Sequence, residues 1–489
     1  MSRPLTRRLR VTFGRPMAAA GATAVFRKRS LSTTPSTAAF RSNPAHCAPR
    51  SHVAAAWPAA TTASRTVTAA AMLLLAGALS AAGQVSSAST AALGMGDNYT
   101  AAARGVDAVA WNPSVLGFHG GPRYVTLAVR GSSGLGPVGL NDISDWSDTL
   151  VPDGVKRDWL NRISADGGQI GSGGGEVTWL GFRLGPMAVH ASSAARAVAD
   201  VSPGIAELVL FGNVGASGQA NTLDLSGSDL NAVAWSAVGA SVGHAFGNEG
   251  RRIALGVTVK YVIGHALALG ENSSGATTNN PIAVDIAFPL VHTSTDGGWS
   301  VDNGHGIGVD AGASLEFDDW TFSAVVHNLA NSFAWDPASL RYRPLSVSLN
   351  QDSALSSTDA VALGAAPAAV QQRIAALKFE PAFAAGVAYR YTPAVLLSAD
   401  ARLTSPDGLT TGTAKHIGAG AELRPFRWLP IRLGGAMISM GENADGWQAG
   451  AGLGFDFGAF SLNASALRRD AGRFGQSTVL MLGLFSGGS

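Results

Sequence analysis

Apolar residues alternate with small or polar ones along most of this chain, and this period of two restricts the fold more than any other feature. Between residues 253 and 263 every odd position is apolar, whereas the even positions from Ala254 to Lys260 are small or polar. Successive side chains of a β-strand point to opposite faces, so the segment is predicted to be a strand with one apolar face. No apolar run reaches the roughly 18 residues that a membrane-spanning helix needs.

Sixteen segments show this alternation, and we expect about fourteen of them to form one antiparallel β-barrel. They are residues 124–130, 177–184, 187–195, 233–246, 253–263, 282–291, 307–317, 320–327, 345–349, 383–391, 395–403, 417–424, 431–438, 447–455, 460–467 and 478–485. A soluble β-sandwich has the same period, so alternation alone does not decide which face points inward.

The composition favours one membrane barrel over two or three soluble domains. Charged residues make up 14% of the chain and hydrophobic residues 46%, with 61 glycines. Soluble domains have about 25% charged residues, so this chain has too few charges to cover a surface in water. A barrel surrounded by lipid needs no such cover.

The connections between the segments differ in length in a way typical of outer-membrane barrels, which have short turns at one end and long loops at the other. Short turns are predicted at residues 185–186, 318–319, 392–393, 427–430 and 458–459, and long loops near 268–281, 294–305, 330–344, 350–378, 404–415 and 440–446. Aromatic residues at segment ends are predicted to form girdles at the membrane surface: Tyr124, Trp320, Tyr389, Tyr391, Trp428, Trp447 and Phe485.

Two stretches do not alternate. Residues 140–175 have helix-like spacing, and we interpret them as a helical insertion of one or two short helices whose Gly-rich end, Gly171 to Gly175, forms a flexible hinge into the next strand. Residues 203–213 are predicted to be a second such insertion, between the third and fourth strands.

The N-terminal region resembles a targeting segment. Residues 69–82 form an uncharged apolar run that follows Arg65, with Ser80 and Ala82 at the −3 and −1 positions of a signal-peptidase site. Residues 1–65 hold eleven basic residues and no acid, and contain Cys47, the only cysteine. An organellar transit peptide has similar features, but we prefer an extended basic leader or an overcalled start codon, because no later feature of the chain needs this segment.

The charge of the rest of the chain is acidic. Without the leader, 24 basic residues stand against 33 acidic ones, and the first carboxylate is Asp97. We therefore expect no nucleic-acid partner. The overall charge of +2 describes only the precursor.

Residues 92–118 carry a motif in which Gly94-Met95-Gly96, Asn98-Tyr99, Asp107-Ala108 and Asn112-Pro113 follow one another in order. The motif resembles the N-terminal hatch of FadL-like, long-chain fatty-acid transporter type, outer-membrane β-barrels, and is closest to an uncharacterised bacterial branch of them. Ser114-Val115 departs from the family's Ala-Gly, and the residues that contact ligands in transporting members have no counterpart here.

The resemblance implies an all-β fold, a transmembrane antiparallel β-barrel of about 14 strands with an N-terminal hatch. The domains are then a basic leader or overcalled N-terminus at 1–68, a signal-peptide core and cleavage site at 69–83, a hatch at 84–123, and a barrel at 124–489 with a helical insertion at 140–175. Residues implied in gating are Gly94, Met95, Gly96, Asn98, Tyr99, Asp107, Asn112 and Pro113.

Charged residues on the predicted inward faces are expected to line the lumen, since each would cost a few kcal/mol on a lipid face. They are Arg183, Lys260, Asp310, Glu316, Arg390, Asp400, Arg402 and Arg432. Salt bridges between wall and hatch are the simpler interpretation, and a route for an amphipathic solute is the alternative.

No pattern of catalysis, cofactor binding or metal binding is present. The histidines are scattered without HExxH or HxH spacing, and no G-x-S-x-G motif precedes a helix. We expect a non-enzyme without cofactor or metal.

The sequence therefore predicts a protein exported to the bacterial outer membrane that takes up small hydrophobic or amphipathic compounds passively past its hatch. Its expected partners are outer-membrane lipid, a small hydrophobic ligand and the barrel-assembly machinery. A non-transporting anchor or scaffold for envelope proteins is the alternative, and a secreted soluble β-protein is a more remote one.

The mature protein is predicted to begin just after Ala82 or Gly83, because the apolar run ends there in small residues. N-terminal sequencing of the membrane-extracted protein tests this. Recovery of a product that retains residues 1–60 would contradict it.

Overall fold

The computed structural model of the chain describes residues 89–219, 222–248, 250–272, 274–279, 282–294, 300–349, 359–404, 409, 415–440 and 445–486. The leader at 1–68 and the signal segment at 69–83 lie outside these ranges, and so does the start of the hatch. Within these ranges no helix is long and apolar enough to cross a membrane.

Strands dominate the described part of the chain. In chain order they are β1 Tyr124–Gly136, β2 Gln169–Leu184, β3 Met187–Val201, β4 Asp229–Asn248, β5 Arg251–Glu271, β6 Ser274–Asn279, β7 Ile282–Thr293, β8 Gly304–Phe317, β9 Trp320–Asn331, β10 Ala334–Trp335, β11 Leu340–Leu349, β12 Val361–Ala362, β13 Ala382–Thr392, β14 Val395–Thr404, β15 Lys415–Phe426, β16 Leu429–Ser439, β17 Asp445–Asp456, β18 Phe460–Ala471 and β19 Gln476–Ser486.

Among the described residues, fourteen of these strands form a closed wall, namely β1–β5, β8, β9 and β13–β19. Each pairs antiparallel with its neighbours, and β5 and β9 pair directly with β8 and β13 across the intervening loops. The wall closes where β1 pairs with β19, from Tyr124 opposite Ser486 to Leu135 opposite Gln476. The predicted fold, a barrel of about fourteen antiparallel strands, is therefore confirmed.

The two faces of the wall differ as the alternation predicts. On β5 the side chains of Ile253, Leu255, Val257, Val259 and Tyr261 are exposed on the outside. The intervening residues from Ala254 to Lys260 are buried on the inside. A continuous apolar outer surface on a closed barrel is the surface of a transmembrane β-barrel.

Helices occur between the strands and ahead of the first one. They are α1 Thr90–Gly94, α2 Ala108–Trp111, α3 Leu140–Ser144, α4 Asp153–Asp166, α5 Pro203–Phe211 and α6 Ala368–Ala375. The helices α3 and α4 lie in the first predicted insertion and α5 in the second. Val138, Leu160, Ile163 and Ala206 form a small apolar core beneath them.

The first insertion is shorter than predicted, because residues 171–175 are not a hinge. The helix α4 ends at Gly167, which adopts a φ of 79°, and β2 begins two residues later. Gly171 to Gly175 pair with β1 on one side and with β3 on the other. Ladder hydrogen bonds come from the backbone, so a run of glycines between two partner strands forms a strand without side-chain support.

Two of the sixteen predicted strands lie outside the wall. The segments 282–291 and 345–349 are parts of β7 and β11, which pair with each other from Leu340 opposite Thr293 onward. At 21 residues β5 is the longest strand, and its end at Ala268–Gly270 gives β7 an edge to pair with. A small sheet therefore extends the wall at the long-loop end.

The predicted girdle is wrong at one residue. Tyr124, Trp320, Tyr391, Trp428 and Trp447 are exposed on the outer surface, but Phe485 is buried. On β19 the outward side chains are Leu480, Leu482 and Leu484, so Phe485 points inward, where it packs in one cluster with Leu93 and Met481.

Arginine at Val257 is expected to impair assembly, because Val257 lies in the middle of the exposed apolar face of β5. The cost of arginine near the middle of a membrane is about 2–4 kcal/mol. Val301→Arg is the matched control, since Val301 is an exposed residue of a long loop. Both variants are refolded into lipid vesicles and titrated with urea; equal unfolding free energies would contradict the assignment of the outer face to lipid.

Candidate functional site

The hatch segment, described from Ser89 to Arg123, lies inside the barrel and contacts opposite sides of the wall. It contains α1, a 3₁₀ turn at Gly105–Asp107, α2 and a second 3₁₀ turn at Pro113–Gly117. Nearly every residue between Ser89 and Leu116 is buried. We call residues 89–102 the latched half of the hatch and residues 108–118 its packed half. The two halves contact different sectors of the wall.

Asp400 of β14 is the central contact of the latched half. Its carboxylate accepts hydrogen bonds from the backbone N–H groups of Tyr99, at 2.7 Å, and Thr100, at 2.8 Å. Hydrogen bonds to an ionised acceptor are about twice as strong as neutral ones. A buried wall carboxylate therefore fixes the turn of the hatch motif.

Other wall side chains reach the backbone of the same half. The hydroxyl of Ser398 donates to the carbonyl of Asn98 at 2.6 Å, and the amide of Gln448 donates to the carbonyl of Gly96 at 2.8 Å. The hydroxyl of Ser465 donates to the carbonyl of Thr90 at 2.7 Å. These residues lie on β14, β17 and β18, so the latched half is bound along one sector of the wall.

Asn98 connects the hatch motif to the wall through its side chain. Its amide donates to the carbonyls of Met95, at 2.8 Å, and Gly435, at 3.2 Å, while its amide oxygen lies 2.9 Å from Nε2 of His416. Met95 itself is fully buried. The side chain of Asn98 therefore forms hydrogen bonds both within the turn of the motif and with two wall strands, β15 and β16.

Glycines on both sides bring hatch and wall backbones into contact. Gly96 adopts a φ of 66°, which a residue with a Cβ rarely adopts, and a Cβ there would lie 2.7 Å from the carbonyl carbon of Gly434. A Cβ on Gly94 would meet Arg432 and Gly452 at 3.0 and 3.1 Å. Gly96 is thus required by its backbone conformation and by close packing, whereas a Cβ on Gly94 needs only small shifts of its neighbours.

The packed half rests on the opposite sector of the wall. Asn112 accepts a hydrogen bond from the backbone N–H of Ser114 at 3.1 Å, and the hydroxyls of Ser114 and Ser314 lie 2.7 Å apart. Pro113 follows Asn112, and a Cβ on wall residue Gly256 would overlap its carbonyl. The Asn-Pro turn is therefore seated against the backbones of β5 and β8.

The halves meet at a contact between rings. Tyr99 and Trp111 pack edge to face with centroids 5.8 Å apart. The guanidinium of Arg402 lies 4.8 Å from the centroid of Trp111, and it also donates to the carbonyl of Asp97 at 2.5 Å. Arg402 thus contacts both halves.

Asp107 is a buried carboxylate beneath α1. The hydroxyl of Ser89 donates to it at 2.8 Å. Burial raises the pKa of Asp107 to about 6, and the Ser89 hydroxyl and the charge of Arg432 oppose that rise. Asp107 therefore remains mostly ionised at neutral pH.

The eight predicted inward charges lie on the inner side of the wall, but in separate groups. Nζ of Lys260 lies 2.6 Å from the Asp310 carboxylate, and both side chains are excluded from solvent. Glu316 pairs with Arg252 at 2.6 Å. Arg183 donates to the hatch carbonyls of Leu116 and Phe118, at 3.1 and 2.7 Å. Asp400 and Arg402 hold the latched half, whereas Arg432 and Arg390 lie beside a cavity.

That cavity, which we call the vestibule, lies between the hatch and the short-turn end of the barrel. Its volume is about 610 Å³, and Tyr99, Ala102, Arg104 and Asp107 of the hatch line one side of it. Turn residues such as Pro393, Arg427 and Gly458 line the other. The vestibule thus leads from the short-turn end to the latched half of the hatch.

An aromatic cluster occupies the lumen at the opposite, long-loop end. Phe379 packs against Trp235 and Phe333, with ring centroids 5.7 and 5.0 Å apart, and Phe333 packs against Trp335 at 5.5 Å. Leu340, Leu363, Ile374 and Leu409 extend this mouth cluster. Long-loop residues therefore fold over the inner face of β4 and β5.

Several functional residues were not predicted from the sequence. Ser398, His416, Glu422 and Gln448 contact the hatch or line the vestibule. Ser398, Glu422 and Gln448 lie at even positions of predicted strands, where the alternation already implied an inward side chain, whereas His416 lies one residue before its predicted segment. No group of three or more metal-ligating side chains occurs in the part of the chain that the structure describes.

Asp400→Asn is expected to loosen the latched half without unfolding the barrel, because it removes the charge that holds two backbone N–H groups. Loss of charged hydrogen bonds worth about 1.5–3 kcal/mol should accelerate amide exchange at Tyr99 and Thr100 about tenfold or more. Hydrogen exchange read by mass spectrometry measures this. Asp336→Asn is the matched control, since that carboxylate caps a long-loop turn at Ala338; unchanged exchange in Asp400→Asn would refute the latch.

Residues 128–329 match the model of a family of unknown function (DUF5723). No match was found among curated protein sequences.

The chain is similar to solved structures of a FadL homologue and of two other transport proteins. A FadL homologue from Pseudomonas aeruginosa shares 14% identity over 83% of this chain and 99% of its own, with a TM-score of 0.46. The toluene transporter TbuX of Ralstonia pickettii shares 12% over 82% and 98%, with a TM-score of 0.44. The monoaromatic hydrocarbon channel CymD shares 10% over 82% and 97%, with a TM-score of 0.47.

Proposed function

We propose that this protein is a bacterial outer-membrane β-barrel through which small hydrophobic or amphipathic compounds pass passively, with the hatch as the movable obstruction. An even number of antiparallel strands, an apolar outer surface, short turns at one end and long loops at the other are characteristic of outer-membrane barrels. The short-turn end would then face the periplasm. Insertion would require the barrel-assembly machinery.

The observation that carries the proposal is the way the latched half is held. Its hydrogen bonds to the wall involve side chains, namely those of Asp400, Ser398 and Gln448 among others. The wall strands obtain their own hydrogen bonds from one another. The latched half can therefore move without opening the barrel, because no ladder bond depends on it.

The spaces on either side of the hatch suit solutes with apolar parts. The mouth cluster offers aromatic surface around Phe333 and Phe379 at the long-loop end. The vestibule lies on the other side of the latched half and ends at Tyr99. On the proposed route a solute would reach the vestibule beside Tyr99, whose ring packs against Trp111.

A non-transporting anchor is a second candidate, favoured by apolar side chains on the long-loop insertions. Leu140, Leu150 and Val209 are exposed there, and Leu150 has 95% of its surface accessible. Exposed apolar groups of this kind mark surfaces that contact other proteins. In such a role the hatch would be a permanent plug.

Removing or fixing the hatch distinguishes these candidates. Deletion of residues 94–110, with Asn112-Pro113 retained, should leave a folded barrel that leaks small polar solutes and no longer shows saturable uptake of an aromatic hydrocarbon such as toluene. Uptake and leakage are measured in proteoliposomes, and folding by heat-modifiable migration.

The complementary variant locks the hatch. A Cβ on Gly94 would lie 3.1 Å from Oγ of Ser465, so the pair Gly94→Cys and Ser465→Cys is placed to form a disulfide in a mature chain without other cysteines. Oxidation should stop uptake and reduction restore it, while each single cysteine behaves alike in both states. A folded deletion variant with unchanged permeability, or uptake through the oxidised pair, would contradict the transport proposal.

A further inference from the structure

The charges around the vestibule do not balance. Five arginines and three carboxylates line it, namely Arg104, Arg390, Arg424, Arg427 and Arg432 against Asp107, Glu422 and Asp456. The lining therefore has an excess of two positive charges when Asp107 is ionised. Low-dielectric walls make such an excess a stronger attraction for anions than it would be on an open surface.

Two of the arginines share one carboxylate within the protein. Glu422 accepts a hydrogen bond from Arg424 at 2.8 Å and another from Arg432 at 2.7 Å. By contrast, no described carboxylate lies within 4.0 Å of Arg104, Arg390 or Arg427. Three guanidinium groups thus face one cavity without a salt bridge.

Arg104 lies at the hatch side of the cavity and is held in position. One of its nitrogens donates to the carbonyls of Ala101 and Ala103, at 2.8 and 2.7 Å, and the other to the hydroxyl of Thr321 at 3.2 Å. Burial, and then the nearby charge of Arg390, lowers the pKa of Arg104 to about 10. Arg104 therefore remains charged at neutral pH, and its positive charge lies close to that of Arg390.

Apolar side chains also line the vestibule. Tyr99, Leu396, Phe460 and Phe485 contribute to the wall of the cavity. Cavities of about 300–1,000 Å³ accommodate small organic molecules, and 610 Å³ lies within that range. The vestibule therefore combines space for an apolar group with unneutralised guanidinium groups.

We propose that the vestibule is a binding site for amphipathic phosphate monoesters, that is, aryl or alkyl phosphates. Guanidinium groups bind phosphate oxygens in pairs of parallel hydrogen bonds, with a geometry that a lysine does not provide. A phosphate monoester carries a charge of about −1.5 to −2 near neutral pH, which matches the excess of two on the lining. A carboxylate would leave one positive charge unmatched, and a neutral solute would leave both.

This site is defined by binding and does not depend on transport. The anion reaches it from the short-turn end, so it is occupied whether or not the hatch moves. Failure of the uptake experiments leaves the binding prediction intact, and loss of binding leaves the uptake prediction intact.

The test is a calorimetric titration of the purified full barrel in a neutral maltoside detergent, at a slightly alkaline pH where phosphate esters are dianions. The probes are phenyl phosphate, inorganic phosphate, benzoate and benzyl alcohol. Phenyl phosphate is expected to bind most tightly, inorganic phosphate and benzoate more weakly, and benzyl alcohol weakest. The double variant Arg390→Gln with Arg427→Gln should weaken phenyl phosphate about tenfold or more.

Controls separate a specific effect from misfolding or a general loss of charge. Arg390 and Arg427 are exposed at the short-turn end, so their replacement should leave heat-modifiable migration unchanged. Arg157→Gln removes an exposed arginine from α4 at the opposite end and should leave the affinity for phenyl phosphate as in the wild type.

Three results would overturn the proposal. Equal affinity of the double variant and the wild type for phenyl phosphate would exclude the vestibule arginines. Inorganic phosphate binding as tightly as its phenyl ester would exclude the apolar part of the site. Benzoate or benzyl alcohol binding as tightly as phenyl phosphate would exclude selection by charge.

Discussion

Closure of the wall is the constraint on which the remaining structure depends. Backbone N–H and C=O groups inside a bilayer find no water, so each must pair with another strand, and only a sheet without edges achieves this. The pairing of β1 with β19 closes the ring, and the short turns between consecutive wall strands keep neighbours in register. Because lipid then covers the outside, the polar and charged side chains of the strands lie inside.

The closed wall encloses a space, and the need to fill that space explains why the hatch lies inside the barrel. A fourteen-stranded ring leaves more space than its own small inward side chains fill, and the chain's own N-terminal segment occupies it. Glycines such as Gly96 and Gly256 let two backbones touch, while Asp400 supplies a charge to the backbone N–H groups that would otherwise be buried without partners. Both halves combine close packing with hydrogen bonds to wall side chains, and neither takes part in the ladder of the wall. Beyond the hatch, the arginines of the vestibule give the short-turn end a chemistry that the mouth cluster lacks.

Strands were predictable from the sequence because their side-chain period is independent of the partner strand. Alternation identified all fourteen wall strands, although several of them, including β1–β5, extend well beyond the predicted segments. It failed where the signal comes from the backbone alone, as at Gly171 to Gly175, which the partner strands β1 and β3 hold in extended form. It also could not place β7 and β11, since a strand that extends the wall has the same local pattern as one that closes it. The hatch motif was recognisable as a motif, but nothing in it indicated Asp400 or Ser398, some 300 residues away.

By itself, then, the amino-acid sequence determined the β-rich class, the face of each strand that carries apolar side chains, and the presence of a small-residue segment ahead of the wall. These are local properties, set by the two-residue repeat and by the lack of charge. Only the tertiary structure decided which charges meet: Lys260 pairs with Asp310 and Glu422 with two arginines, whereas Arg390 and Arg427 have no carboxylate oxygen within 4.0 Å among the described residues. The reason is physical, since an ion pair depends on distances between strands, and those distances are fixed by ring closure and register rather than by any neighbouring residue in the chain.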